Sequence, residues 1–251
     1  MSNVKTPQAS TSGASSLALR LCLWAGIVGP LFFVLVFTID GFLTPGYSAM
    51  RDVVSFLELG PTGWIQRLNF MLTGLLFIFF ALGFFRWMRP KSGSSWLAVT
   101  TVFIACSGVG LLMAGPFLPD APGTTQMSVQ GILHTIAFTL VFLPLGLACL
   151  FVGGKFVRTP GWRIHGVYSL LAGLFPIFAA LGNLYSSFVV SSASSAPVSA
   201  TSSQLAVGGL INRILIIVAF AWYVILASRM LIQESRFTVA PASSKSKEEG
   251  V

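Results

Sequence analysis

Six stretches of about twenty predominantly apolar residues decide which folds are open to this chain. A helix rises about 1.5 Å per residue, so about twenty apolar residues cross the roughly 30 Å hydrocarbon layer of a bilayer. The predicted spans are 17–39, 64–88, 96–115, 129–152, 164–190 and 207–232. Only 9% of the residues are charged and 55% are hydrophobic, which excludes a water-soluble fold. The sequence therefore predicts an all-α, polytopic bundle of six transmembrane helices, with 17–232 as its membrane domain.

The two ends of the chain have a different composition from the spans. Residues 1–16 and 233–251 are polar and poor in aromatic side chains, which is typical of disorder. We therefore expect two disordered tails on either side of the membrane domain.

The distribution of basic residues predicts the orientation. Twelve of the fifteen Lys and Arg residues fall on the side of the two termini, and the opposite side has Arg51, Arg67 and Arg213. Basic residues near span ends are retained in the cytoplasm, so both termini of this multi-pass protein are predicted to be cytoplasmic and the membrane to be the cell membrane. Topology and attraction to membrane lipids account for the net charge of +8. Lipids are therefore the expected partners, and nucleic acid is not.

The first loop on the outer side, residues 40–63, contains a turn signal followed by an amphipathic pattern. Pro45 and Gly46 suit the two central positions of a turn that ends at Tyr47. Apolar residues then recur at helical spacing from Met50 to Leu57, so we expect a short helix capped by Ser48 that lies on the membrane or covers the bundle. The polar residues of this predicted helix are Arg51, Asp52, Ser55 and Glu58.

Several spans place polar side chains in their outer halves, where such groups are costly unless they are paired or line a wet cavity. These side chains are Gln66, Arg67, Asn69, Gln130, His134, Asn183 and Arg213. Asp40 follows the outer C-terminus of a helix, where the macrodipole disfavours an anion, so we expect Arg67 or Arg213 to pair with it. Asp120 lies in the next outer loop, between two prolines.

Two interpretations of this polar set stay open. One is a structural ion-pair network that closes the outer end of the bundle. The other is an outward-facing pocket covered by the amphipathic loop, which binds a lipid headgroup or a small polar ligand in an accessory or transport-related role. The predicted ligand-binding residues are Arg213, Arg67, Asn69, Gln66, Gln130, Asp40, Arg51, Asp52 and Tyr47.

Two further function classes remain as alternatives. An intramembrane lipid hydrolase or transferase would use His134 as general base, Asp120 or Glu58 as its partner and Ser55 as nucleophile. A structural scaffold needs only helix-packing surfaces. With one outer His and no outer Cys, a zinc site would have to be rich in carboxylates, and the four outer carboxylates equally permit a hard cation such as Ca²⁺. No metal or cofactor site is therefore predicted.

Short motifs distributed along the chain resemble those of the six-span domain of unknown function 998 family. They are Pro45-Gly46-Tyr47-Ser48, Arg51, Ser55, Leu57, Leu59-Gly60, Gly63-Trp64, Asn69-Phe70, Thr73-Gly74, Phe117-x-x-Asp120, Gly131-x-x-His134 and Gly209-Leu210-x-x-Arg213. The resemblance implies an integral membrane protein whose activity is unassigned. The family often has an acidic residue where this chain has Asn212, so a mechanism that needs a carboxylate at that position is not expected here.

Overall fold

A computed structural model of the protein describes residues 11–122, 124, 126–192 and 206–239. Its long helices are α1 (Thr11–Leu43), α2 (Gly63–Met88), α3 (Ser94–Ala114), α4 (Val129–Phe156), α5 (Arg163–Ser192) and α6 (Gly208–Val239). Within the described ranges, each of these six helices contains a stretch long and apolar enough to cross a membrane. The predicted six-span, all-α bundle is confirmed.

The first and last helices extend further toward the chain ends than the sequence predicted. α1 already begins at Thr11, and α6 continues to Val239. Residues 11–16 and 233–239, predicted as parts of the disordered tails, are therefore helical. The remainder of the two predicted tails lies outside the described residues.

The six helices form a ring in which chain neighbours pack side by side. α1 contacts α2, α2 contacts α3, α3 contacts α4, and α4 contacts α5, while α6 closes the ring against α1. The seam between α5 and α6 is the most sparsely packed of these neighbouring pairs.

Aromatic side chains fill the centre of the ring. Phe77, Phe80, Phe84 and Phe220 are fully buried, and the rings of Phe77 and Tyr223 stack with centroids 4.0 Å apart. Such ring pairs contribute about 0.5–1.5 kcal/mol beyond the apolar area that they bury. The aromatic core joins α2 to α6 across the bundle.

Glycines set the distance between neighbouring helices. A side chain on Gly74 of α2 would meet the backbone carbonyl of Gly108 on α3, so the two helices approach at this point with backbone against backbone. Small residues at such crossings are how helices associate in lipid, where burial of apolar surface supplies no driving force between them.

The loop after α1 covers one end of the bundle, which we call the distal end. The loop between α3 and α4 and the start of α6 lie at the same end, opposite Thr11 and Val239. The expected amphipathic helix starting at Ser48 is not formed: turns occupy residues 48–52, and a short 3-10 helix follows at Val54–Leu59.

The reason for this difference is a set of hydrogen bonds from α6 to the loop backbone. The N–H of Leu210 donates to the carbonyl of Met50 at 3.0 Å, and the N–H of Val54 donates to Oδ1 of Asn212 at 3.0 Å. Backbone groups that bond to a distant helix are not available for bonds within a local one. Tertiary contacts therefore replace the regular helix that the apolar spacing predicted.

Candidate functional site

A cleft of about 480 Å³ opens at the distal end, between α4, α5 and α6. Its remaining walls are the 3-10 helix at Val54–Leu59 and the loop that joins α3 to α4. The polar side chains among its described lining residues are Ser55, Asp120, His134, Thr135, Asn183, Ser186 and Asn212. The cleft lies over the sparse α5–α6 seam at the distal end of the bundle.

His134 has a defined tautomer in this cleft. Its Nδ1 lies 2.6 Å from the carbonyl oxygen of Phe117, and because a carbonyl can only accept, Nδ1 carries the proton and donates. In the neutral imidazole Nε2 is then the acceptor. The Phe117 carbonyl thus orients the imidazole, and the catalytic partnership of His134 with Asp120 or Glu58 stays a prediction.

Asp120 lies on the loop before α4 and packs against Gly131, which is one helical turn before His134. Its carboxylate accepts the backbone N–H of Ser128, with Oδ2 at 3.1 Å, while Oγ of Ser128 caps the helix by accepting the N–H of Gly131 at 3.0 Å. A carboxylate at a helix N-terminus is also favoured by the macrodipole. Asp120 is therefore held against the helix with part of its acceptor capacity facing the cleft.

Two asparagines complete the polar wall, and neither was among the predicted site residues. Nδ2 of Asn183 donates to the carbonyl of Thr135 at 3.5 Å, which leaves Oδ1 as an acceptor. Oδ1 of Asn212 accepts from Val54, which leaves its NH₂ group as a donor. The signal that could have found them is an amide side chain near the distal end of an otherwise apolar span.

A second cavity of about 50 Å³ adjoins the cleft on its inner side. Ser55, His134, Phe138 and Asn212 line both cavities. The inner chamber is otherwise apolar; its aromatic lining residues are Phe33, Phe70, Phe138, Phe142 and Phe220. The site therefore consists of a polar vestibule and a small apolar chamber that meet at His134.

Arg213, the first of the predicted ligand-binding residues, fastens the loop instead of facing the cleft. Its Nη1 donates to the carbonyls of Ala49 at 2.7 Å and Asp52 at 2.9 Å, and its Nη2 donates to the hydroxyl of Tyr47. Neither Arg213 nor Tyr47 lines the cleft. Burial raises the pKa of the Tyr47 hydroxyl, an effect that the adjacent Arg213 guanidinium partly offsets.

Arg51 and Asp52 form an ion pair on the outer face of the loop. Nε of Arg51 lies 2.9 Å from Oδ1 of Asp52, and Oδ2 accepts the backbone N–H of Ser48 at 2.7 Å. Burial by itself would raise the pKa of the Asp52 carboxyl, but the hydrogen bonds from Arg51 and Ser48 outweigh it and lower the pKa. The same pair raises the pKa of Arg51. Both side chains stabilise the turn and lie outside the cleft lining.

The predicted ion pair between Asp40 and an arginine is absent from the described residues. Oδ1 of Asp40 accepts the hydroxyl of Thr62 at 2.8 Å, whereas Nε of Arg67 donates to the carbonyl of Gly115 at 3.0 Å and Arg213 holds the loop. The two arginines therefore donate to backbone carbonyls, and the predicted Asp40–arginine network is wrong. Asp40 and Arg67 do not line the cleft.

The remaining predicted residues divide between the packed interior and the surface. Gln66 and Asn69 are fully buried between α1 and α2, where Nδ2 of Asn69 donates to the Phe33 carbonyl at 3.1 Å and to Oε1 of Gln66 at 3.2 Å. Gln130 is exposed and lies outside the cleft lining. These three side chains do not converge with His134.

Glu58 is buried away from the cleft, although the predicted amphipathic helix placed it on the polar face. Only 5% of its surface is exposed, and neither carboxylate oxygen has a hydrogen-bond partner in the described structure. Burial, opposed in part by the Arg67 charge, raises the pKa of Glu58 to about 9. The carboxyl is therefore neutral at pH 7 and packs within the bundle.

Within the described residues, no group of three or more His, Cys, Asp or Glu side chains could hold a metal ion. Of the thirteen site residues that the sequence predicted, the cleft brings together Ser55, Asp120 and His134.

Comparisons with known proteins agree with the sequence motifs. Residues 27–229 match the family described as "Protein of unknown function (DUF998)". No curated protein and no solved structure matches the chain. The family match covers most of the chain and reaches from α1 into α6. The chain belongs to the DUF998 family of proteins of unknown function, and it is a multi-pass membrane protein.

Proposed function

We propose that the protein binds a lipid headgroup or a small polar ligand in the distal cleft, in an accessory or transport-related role. The observation that carries the proposal is the convergence of polar side chains from α4, α5 and α6 on one cavity of about 480 Å³ in an otherwise apolar bundle. Polar groups within a span are costly unless they have partners, so a cavity that collects them is suited to a polar guest.

The position of the cleft supports a ligand that arrives from the membrane. α5 and α6 make few contacts with each other, and their exposed apolar side chains continue the wall of the cleft toward the lipid. A headgroup can enter sideways through this seam while its acyl chains stay in the bilayer. We place the cleft on the extracytoplasmic side, because the basic residues concentrate at the opposite end of the bundle.

Filling the cleft tests the proposal. A side chain at Gly182 meets no atom within 4 Å and would project into the cavity, so Gly182→Trp should occupy it without disturbing the helix packing. Gly154→Trp is the matched control, since Gly154 is equally open but lies near the other end of α4. Native mass spectrometry of the protein extracted in mild detergent should show a bound species that Gly182→Trp removes and Gly154→Trp retains. Equal occupancy in both variants would overturn the proposal.

An ester hydrolase or transferase is the second candidate. Ser55 and His134 line both the cleft and the inner chamber, and with Nδ1 donating to Phe117, Nε2 of His134 is the ring atom suited to accept the proton of an attacking hydroxyl. In that reaction Oγ of Ser55 would attack the ester carbonyl, and the alcohol would leave with the proton held by His134. A fluorophosphonate probe should then label Ser55, and Ser55→Ala should abolish labelling. An unlabelled wild-type protein would exclude this candidate.

A further inference from the structure

The distal cleft contains hydrogen-bond acceptors but no Lys or Arg among its described lining residues. The chain has a net charge of +8, and the groove of about 500 Å³ at the opposite end is lined by Lys155 and Arg158. The described lining of the distal cleft includes no Lys or Arg, and Asp120 is its carboxylate. A cavity of this kind disfavours an anionic guest and favours a cationic group.

The acceptors come from three different elements. They are the Asp120 carboxylate on the loop before α4, Nε2 of His134 on α4, and Oδ1 of Asn183 on α5. Each is left as an acceptor because its other polar atom is already used: Nδ1 of His134 donates to Phe117, and Nδ2 of Asn183 donates to Thr135. Asp120 keeps lone pairs beyond those that accept from Ser128.

A primary ammonium group has the matching chemistry. It carries one positive charge and three N–H donors, and it has no acceptor. A trimethylated ammonium has the same charge but no N–H donor, so it would leave the acceptors of the cleft unpaired. An unpaired polar group in a desolvated site costs about as much as a lost hydrogen bond.

We propose that the ligand of the distal cleft carries a primary ammonium group, which binds among Asp120, His134 and Asn183. This inference rests on the proposed function and specifies the ligand class. The amine is borne either by a lipid headgroup or by a small soluble molecule. In a zwitterionic ligand the NH₂ group of Asn212, whose Oδ1 is already bonded to Val54, donates to the anionic half.

The test compares lipids that differ only in the headgroup. Purified protein is titrated with dioleoyl phosphatidylethanolamine, its phosphatidylcholine analogue and phosphatidylglycerol, and bound species are counted by native mass spectrometry. We expect the ethanolamine lipid to bind about tenfold more tightly than the choline lipid, the effect of one charge-assisted hydrogen bond. Competition by soluble phosphoethanolamine at equal strength would identify a small amine as the ligand, and competition by the diacyl lipid alone would identify a lipid.

Three variants test which residues cause the preference for the ethanolamine lipid over the choline lipid. Asp120→Asn retains the acceptor for the Ser128 N–H and removes the charge, and His134→Asn retains a donor for the Phe117 carbonyl while removing Nε2. Both should bring the ethanolamine-to-choline ratio close to one. Asp52→Asn makes the same chemical change outside the cleft and should leave the ratio unaltered.

The outcomes separate the two proposals. If all three lipids bind equally and Gly182→Trp displaces them all, the cleft is a binding site but the ammonium inference is wrong. If no lipid and no amine responds to Gly182→Trp, the proposed function fails and the inference fails with it.

Discussion

The carboxylate of Asp120 occupies the space where a side chain at Gly131 would begin. A Cβ built on Gly131 would overlap both Oδ2 and Cγ of Asp120. Because residue 131 is a glycine, the Asp120 carboxylate can lie against the first turn of α4. The same contact places Asp120 beside His134 in the distal cleft.

Gly131→Ala should destabilise the protein, although alanine normally stabilises a helix relative to glycine. The added methyl group displaces Asp120 and breaks its hydrogen bond with Ser128, which we expect to cost about 1–3 kcal/mol. Thermal unfolding in detergent measures the change. Gly154→Ala, where the new Cβ meets nothing, is the control and should gain up to about 1 kcal/mol. In an Asp120→Ala background Gly131→Ala should no longer destabilise; a loss of the same size there would contradict this account.

Arg213→Gln should release the loop that covers the distal end. The guanidinium donates to three backbone carbonyls and to Tyr47, and a hydrogen bond from a charged group contributes about 1.5–3 kcal/mol. Loss of these hydrogen bonds should raise the fraction of molecules in which the loop 44–62 is open by roughly 10- to 100-fold. Hydrogen exchange at the amides of this loop measures the opening.

Arg51→Gln provides the comparison for this variant. Arg51 is exposed, its ion-pair partner in the described structure is the neighbouring Asp52, and surface pairs of this kind contribute little to stability. Its exchange pattern should match the wild type. Equal protection of the loop in the Arg213 and Arg51 variants would mean that Arg213 does not fasten it.

The membrane-spanning parts of the helices were predictable because the length of an apolar stretch determines them. α2 begins at Gly63 and ends at Met88, against a predicted start at residue 64 and the same end. The loop was not predictable, because the groups that shape it come from α6, about 160 positions further along the chain. Arg213 and Asn212 bond to the backbone of residues 49–54, and no local pattern contains that information.

The candidate site was predictable only in part, for a related reason. Residue type and span position identified His134 and Asp120 as outer polar groups, but in a bundle every helix has both buried and exposed faces. Asn69 proved to face α1, whereas Asn183 faced the cleft. Which face points inward depends on the packing of neighbouring helices, which sequence periodicity indicates poorly when most positions are apolar.

Glu58 should make the stability of the protein fall as the pH rises. Its pKa is about 9 in the folded protein and 4.5 as an ordinary carboxyl, so the folded state holds more protons between these values. The stabilising contribution of the neutral carboxyl is complete below pH 4.5 and is lost progressively toward pH 9, by up to about 1.4 kcal/mol per pH unit. Urea unfolding at several pH values measures the slope. The free energy of unfolding of Glu58→Gln should change less with pH across this window, and the variant should be more stable than wild type at pH 8. Parallel curves of unfolding free energy against pH for the two proteins would show that Glu58 is ionised in the folded state.

Tyr223 and Ser107 should show measurable energetic coupling across the centre of the bundle. The Tyr223 hydroxyl donates to Oγ of Ser107 at 3.0 Å, and both residues are fully buried, so the bond joins α6 to α3 away from water. Tyr223→Phe keeps the stacking on Phe77 and removes only this bond, which should cost about 1 kcal/mol. The double variant with Ser107→Ala removes both polar partners and should be more stable than the sum of the single losses predicts. A thermal unfolding cycle measures the coupling, and strictly additive losses would show that the hydrogen bond does not stabilise the α3–α6 contact.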